Sequence, residues 1–232
     1  PSPPHPMPLA QVIDRLSQHE QVAGILLIGT AAQSELGPAS DYDLVLIMSD
    51  LRVPLHVALT TIDGRLADLL FVTTAQIEQV LGLEAPVDQS QWLARIVRWL
   101  EVGQIVHDRS GQVARAQDKV RQANWLHPKT SLDAYGAWFR LNFNLAHTRR
   151  LLCTDDPVYR AAAELRLALY APSDLLYGYW EMRDLRWEGE KAAVRALERH
   201  DPDYLAGYLC FLRQADLGKK LALYEQLAAQ TM

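Results

Sequence analysis

The chain has 232 residues, 49% of them hydrophobic and 22% charged, with a formal net charge of −5 at pH 7. This length holds one large domain or two small ones, and the composition is that of a soluble globular protein. Residues 1–110 carry 6 Lys and Arg against 13 Asp and Glu, a balance that excludes the basic surface of a nucleic-acid-binding protein. We therefore expect small-molecule partners and no nucleic acid.

Neither a membrane segment nor a secretory leader is expected. No apolar run reaches the ~18 residues that a membrane-spanning helix needs, and the Pro-rich start over residues 1–8 has no apolar signal core. Cys153 and Cys210 are too few for a disulfide framework and lie in apolar helical patterns, which predicts buried free thiols. A cytoplasmic protein fits these features, while the oligomeric state stays open.

In the first half of the chain, the apolar pattern predicts a mixed sheet with flanking helices. Residues 22–28 form a continuous apolar run, as in a buried central strand. Asp63-Gly64 lies between two strand-like runs and signals a β-hairpin. The predicted strands are 22–28, 43–48, 55–62, 65–72 and 104–107, and the predicted helices are 9–19, 30–36, 75–82 and 89–101.

The second half has helical periodicity broken by prolines and glycines, with no clear strand run. The sequence as a whole therefore predicts the α+β class, in which a mixed-sheet domain over residues 9–110 precedes an all-α helical bundle over residues 111–232. The predicted helices are 111–125, 132–152, 157–170, 173–186, 189–199, 203–214 and 216–230.

Three aspartates on the predicted strands indicate a metal site. Asp41 and Asp43 stand one residue apart at the head of strand 43–48, where side chains two residues apart share a face about 7 Å apart. Like charges this close repel each other unless a cation lies between them, and Mg²⁺ prefers such hard oxygen ligands. Asp68 lies in the predicted strand 65–72, and it can face Asp41 and Asp43 if that strand pairs beside strand 43–48. We therefore predict one or two Mg²⁺ ions bound by Asp41, Asp43 and Asp68.

The turn after the first strand is a candidate phosphate site. Gly29 permits close approach of the backbone to a ligand. Thr30 opens a predicted helix, whose free N–H groups favour anions, and its hydroxyl donates one further hydrogen bond. Ser40 either contacts phosphate or caps its own loop, and the sequence leaves both interpretations open.

These pieces resemble the nucleotidyltransferases of the DNA polymerase β type. The shared pattern is an apolar strand, Gly29-Thr30, a spacer, Asp41-x-Asp43 and a later acid, Asp68, with Thr30 where Ser is usual. It covers roughly the first 110 residues. The resemblance implies that the three aspartates are catalytic metal ligands and that the substrate is an NTP, with ATP expected.

A helical domain after such a transferase domain is similar to the layout of antibiotic nucleotidyltransferases. That likeness implies transfer of a nucleoside monophosphate to a hydroxyl of a small-molecule acceptor, with release of pyrophosphate. One alternative is a regulatory nucleotidyltransferase of the toxin–antitoxin kind that acts on a protein partner. Another is a nucleotide-binding relative without turnover.

The general base is not assigned by any motif. Antibiotic nucleotidyltransferases of this layout use a Glu of the helical domain, which leaves Glu164, Glu181 or no base at all, since the metal ions alone can suffice. Arg140, Asn142 and Asn144 lie beside three aromatic residues on one predicted helix. This surface either lines a substrate cleft or forms a bundle core with a polar flank. The aromatic residues are Trp138, Phe139 and Phe143.

Overall fold

The computed structural model describes residues 7–32, 36–37, 39–127 and 130–232. The chain divides into two compact units between His127 and Pro128. The first unit is a five-stranded mixed sheet with helices, and the second is helical in its described residues. The α+β class predicted from the sequence is therefore confirmed.

The elements of the first unit follow the predicted order. Its strands are β1 (Val22–Ile28), β2 (Tyr42–Met48), β3 (Val57–Ile62), β4 (Arg65–Thr73) and β5 (Gln104–Asp108). Its helices are α1 (Leu9–Ser17), α2 (Gly29–Ala32), α3 (Thr74–Leu81), α4 (Trp92–Val102) and α5 (Gln112–Gln122). Part of the predicted helix 30–36, residues 33–35, lies outside the described residues.

The strand order of the sheet is β3-β4-β2-β1-β5. β2 and β4 are parallel, and the other neighbouring strands are antiparallel. The predicted hairpin joins β3 to β4, and both of its turn residues have positive φ, 52° at Asp63 and 74° at Gly64. Two consecutive positive φ angles are typical of the type I′ turn that fits the twist of a hairpin.

Both faces of the central strands are covered. On one face, alternate residues such as Val45 and Val72 pack in a core with α3, α4 and α5. On the other face, residues such as Leu44 pack with the apolar side of α1. This double burial explains why β1 and β2 are continuous apolar runs.

Helix α5 belongs to the first unit because its side chains bind the ends of earlier helices. The buried Gln117 donates from Nε2 to the Leu100 and Gly103 carbonyls at 2.7 and 2.8 Å. Lys119 donates in the same way to the Leu81 and Leu83 carbonyls. Helix ends leave such carbonyls without an intrahelical partner. The predicted domain boundary near residue 110 precedes α5, whereas the compact unit continues to His127.

The second unit is built from helices that enclose their own core. Its elements are α6 (Ser131–Leu151), α7 (Pro157–Leu169), α8 (Ala171–Met182), α9 (Glu190–His200), α10 (Pro202–Arg213) and α11 (Leu217–Thr231). Tyr204 is fully buried in this core, and its hydroxyl donates to the Leu175 carbonyl at 3.0 Å. In the described ranges, no helix is long and apolar enough to cross a membrane.

The prediction of buried thiols is wrong. Cys153 and Cys210 are both free and exposed. Cys153 lies in the turn after α6, beyond the apolar face of that helix. Cys210 lies on α10 but outside the buried stripe formed by Tyr204, Tyr208 and Phe211. An apolar neighbourhood in the sequence did not identify which side of the helix faces the core.

We expect Gln117→Leu to lower the free energy of unfolding of the first unit by about 1–3 kcal/mol, because it removes two buried hydrogen bonds to helix-end carbonyls. Urea denaturation followed by circular dichroism measures this change. Gln122→Leu makes the same substitution at the exposed end of α5 and should have little effect. Equal losses in the two variants would contradict a role of Gln117 in joining α5 to the end of α4.

Candidate metal and phosphate site

Asp43 and Asp68 lie directly opposite each other in the parallel register of β2 and β4. Residues opposite each other on neighbouring strands point to the same face, and the strands lie about 4.8 Å apart. Asp43 shares this face with Val45 on its own strand, and Asp68 shares it with Val72. The structure therefore brings two of the three predicted acids together.

One oxygen of Asp68 lacks the partner that burial requires. Asp68 is partly buried, and its Oδ1 has no solvent contact and no hydrogen-bond partner in the described part of the chain. A desolvated carboxylate oxygen without a partner costs free energy. A bound cation would supply the missing interaction, and a second carboxylate opposite Asp68 makes the donor set suitable for a hard divalent ion.

Gly29 places the backbone against the Asp43 carboxylate. Asp43 is opposite Ile28 in the antiparallel register of β1 and β2, and Gly29 follows Ile28 with φ of 69°. A Cβ atom added at Gly29 would lie 2.8 Å from Asp43 Oδ2. The left-handed backbone therefore favours glycine here, and an added Cβ would also press on the Asp43 carboxylate.

Asp41 and Thr30 are further predicted members of the site. Asp41 precedes β2 by one residue, so strand geometry does not orient its side chain. In the ranges that the structure describes, no group of three or more His, Cys, Asp or Glu side chains could hold a metal ion. The metal contact of Asp41 thus stays a prediction. The backbone of Thr30 lies in α2, but its side chain is outside the described residues, and its phosphate contact also stays a prediction.

Ser40 holds the loop before β2. Its Oγ accepts a hydrogen bond from the Gly37 amide at 2.9 Å. Arg65 Nη1 donates to the carbonyls of Gly37 and Ser40 at 2.6 and 3.1 Å. The hydrogen bond from Gly37 therefore supports the loop-capping interpretation of Ser40. A contact between Ser40 and phosphate remains a prediction.

Arg65 is a positioning residue that the sequence did not reveal. It occupies the first position of β4 and ties that strand to the loop that leads into Asp41. In the sequence it follows Asp63-Gly64 and resembles an ordinary solvated charge at the end of a turn. Only the folded loop shows which carbonyls it binds.

The second unit contains a polar cluster around Asp174, which sequence reasoning missed. Asn144 donates to Asp174 Oδ2 and accepts from Arg166 Nη2, both at 2.5 Å. Arg140 lies 3.7 Å from Asp174 Oδ1 and 2.6 Å from Glu181 Oε2. Burial raises the pKa of Asp174, and the Asn144 and Arg140 contacts offset part of that effect. In the sequence, Asp174 looks like an acid of a first helical turn.

The two candidate bases are in different surroundings. Glu181 is engaged in the ion pair with Arg140 described above, while Glu164 is exposed on α7. Neither the ion pair of Glu181 nor the exposure of Glu164 identifies a general base, so the choice among Glu164, Glu181 and no base stays open.

The aromatic residues of α6 are not part of the bundle core. Trp138, Phe139 and Phe143 are exposed, with Phe139 and Phe143 stacked 5.7 Å apart. The buried stripe of α6 instead contains Ala137 and Leu141. The bundle-core interpretation therefore does not hold for these aromatic rings, because the helix turns its small and aliphatic residues inward.

Comparisons with known proteins add a distant likeness to solved structures. No protein-family model matches the chain, and no curated protein matches it. Among solved structures, a nucleotidyltransferase-like protein from Exiguobacterium sibiricum 255-15 is similar to it, with 16% sequence identity and a TM-score of 0.47. The match covers 96% of this chain and 72% of the other.

We expect Gly29→Ala to lower the free energy of unfolding more than Gly111→Ala does. Both glycines have positive φ, 69° and 71°, so each variant carries a backbone cost of about 1–2 kcal/mol. Only at Gly29 does the new methyl group meet a side chain, because no described atom lies within 4 Å of a Cβ at Gly111. Urea denaturation of both variants measures the difference.

A double-mutant cycle identifies the source of the extra loss. In an Asp43→Ala background the collision at Gly29 is absent, so Gly29→Ala should then cost the same as Gly111→Ala. An extra loss that persists without the Asp43 carboxylate would contradict the close contact.

Proposed function

We propose that this protein is a Mg²⁺-dependent nucleotidyltransferase that moves a nucleoside monophosphate from an NTP, with ATP expected, to a hydroxyl of a small-molecule acceptor. The observation that carries the proposal is the pair of opposed carboxylates, Asp43 and Asp68, one of which has a buried oxygen without a partner. The close approach of Gly29 to Asp43 supports it, since phosphate groups need such backbone access.

The donors at this site fit Mg²⁺. Asp43 and Asp68 would hold the ion through carboxylate oxygens, with Asp41 as the further expected ligand. When bound, Mg²⁺ neutralises charge on the triphosphate and favours ionisation of the acceptor hydroxyl. The side chains of the protein would then orient the nucleotide and the acceptor.

The proposed reaction is a displacement at the α-phosphorus. The acceptor oxygen forms a bond to that phosphorus, and the bond to the oxygen that bridges the α- and β-phosphates breaks. Pyrophosphate leaves with the bonding electron pair. The hydroxyl proton passes to a base, for which Glu164, Glu181 and solvent water are the candidates.

We expect Asp43→Asn to reduce transfer by roughly 100-fold or more, because the amide keeps the size of the side chain but loses the charge that holds the metal. Release of pyrophosphate from ATP, measured with a panel of hydroxylated acceptors, reports the activity. Asp50→Asn is the matched control, since Asp50 is exposed just beyond β2. Undiminished turnover in a folded Asp43→Asn variant would remove Asp43 from the mechanism.

We further expect nucleotide to raise the melting temperature only when Mg²⁺ is present. The excess of acidic residues in the first 110 positions repels a bare triphosphate, and a shared cation removes that repulsion. Thermal unfolding with ATP or GTP, each with Mg²⁺ and with EDTA, tests this. Equal shifts in both conditions would argue against metal-bridged binding.

The same assays separate the alternative functions. Radiolabel from [α-³²P]ATP that appears on a protein and not on small molecules would support the regulatory alternative. Mg²⁺-dependent nucleotide binding without pyrophosphate release would support a nucleotide-binding relative that lacks turnover.

A further inference from the structure

The β3–β4 hairpin has an apolar surface beside the acid pair. In the antiparallel register of β3 and β4, Leu59 lies opposite Asp68, and Val57 lies opposite Leu70. Leu66 is two residues from Asp68 on β4 and therefore shares its face. Leu59 is 67% exposed, Leu66 54% and Val57 47%. We call these three residues the hairpin platform.

On the opposite face of the same hairpin, the exposed and buried residues are of the usual types for an antiparallel sheet. There the exposed position of β3 carries a polar residue, Thr60, while Ile62 and Ala67 are buried. Antiparallel strands normally put polar residues outward and apolar residues inward. The acid-bearing face exposes one polar residue, Thr61, but also the three apolar residues of the hairpin platform, and apolar residues clustered on a surface are typical of binding sites.

Burial is lower toward the start of β4 on this face. Val72 is fully buried beneath the helices, Leu70 and Asp68 are partly buried, and Leu66 is largely exposed. The acid pair therefore lies where the helical cover of the sheet ends. The hairpin platform continues the same surface outward from the acids.

Under the proposed reaction, the order of the strands gives each reactant a direction of approach. Gly29 follows β1, Asp43 is on β2, Asp68 is on β4 and Leu59 is on β3, so these residues form a row across four neighbouring strands. If the triphosphate lies against Gly29, the leaving pyrophosphate is at the β1 end of the row. In phosphoryl transfer the attacking and leaving oxygens lie roughly in line. The acceptor then approaches from the β3 end.

We propose that Leu59 and Leu66 determine acceptor specificity by binding an apolar part of the acceptor next to its reacting hydroxyl. The substrate class is an amphipathic alcohol and not a uniformly polar polyol. This inference rests on the proposed nucleotidyl transfer and adds the acceptor's chemistry to it.

Two diols that differ only in an apolar tail test the inference. Pyrophosphate release from ATP and Mg²⁺ is measured with 1,2-propanediol and with 1,2-hexanediol as acceptors. The wild-type protein should have a KM roughly 10-fold lower for the longer diol, since each methylene in an apolar site aids discrimination. In Leu59→Ser and Leu66→Ser this preference should fall roughly 5-fold or more.

Leu169→Ser is the matched control because Leu169 is 62% exposed on α7, in the second unit. It should keep the wild-type preference. Circular dichroism and the Mg²⁺-dependent thermal shift with ATP should be unchanged in all three variants, because the hairpin platform does not hold the nucleotide.

The possible failures are distinguishable. An unchanged preference in Leu59→Ser and Leu66→Ser would overturn the inference and leave the transfer reaction intact. Nucleotide binding with Mg²⁺, but no pyrophosphate release with either diol, would also overturn the assigned acceptor class. Absence of both Mg²⁺-dependent nucleotide binding and pyrophosphate release would overturn the proposed function itself.

Discussion

Asp43 and Asp68 lie side by side on one face of the sheet, because the register of the parallel strands β2 and β4 pairs them directly. Two carboxylates at strand spacing repel each other, and Asp68 Oδ1 is withdrawn from solvent without a partner in the described residues. The proposed metal-binding role would explain why a strand keeps a charge in its middle. A purely structural sheet would gain stability from an apolar residue at that position.

Other features of the first unit are arranged around this pair. Gly29 leaves room for the Asp43 carboxylate, and Arg65 binds two carbonyls of the loop that leads into β2. The helices α3, α4 and α5 cover the apolar end of the same face, so the acids lie at the border between a packed core and an accessible surface. At such a border, a metal site can be preorganised and still be reached by substrates.

The sequence predicted the strands and helices well because apolar periodicity and the Asp63-Gly64 turn are local signals. The same-face position of Asp43 and Asp68 depended on a strand pairing that the sequence could only suggest. Local sequence patterns did not predict the features that depend on long-range contacts. The loop contacts of Arg65, the burial of Asp174 and the role of α5 in the first unit all arise from residues distant in the chain.

A crystal structure with Mg²⁺ and a non-hydrolysable ATP analogue tests the central claim most directly. We predict an ion with one oxygen of Asp43 and one of Asp68 at about 2.0–2.1 Å, the usual Mg²⁺–oxygen distance, and with phosphate oxygens completing its coordination. The orphaned Asp68 Oδ1 should become a ligand or turn to a ligand-bound water. A nucleotide bound elsewhere, or an ion that leaves Asp68 without contact, would contradict the assignment of this carboxylate pair as a metal site.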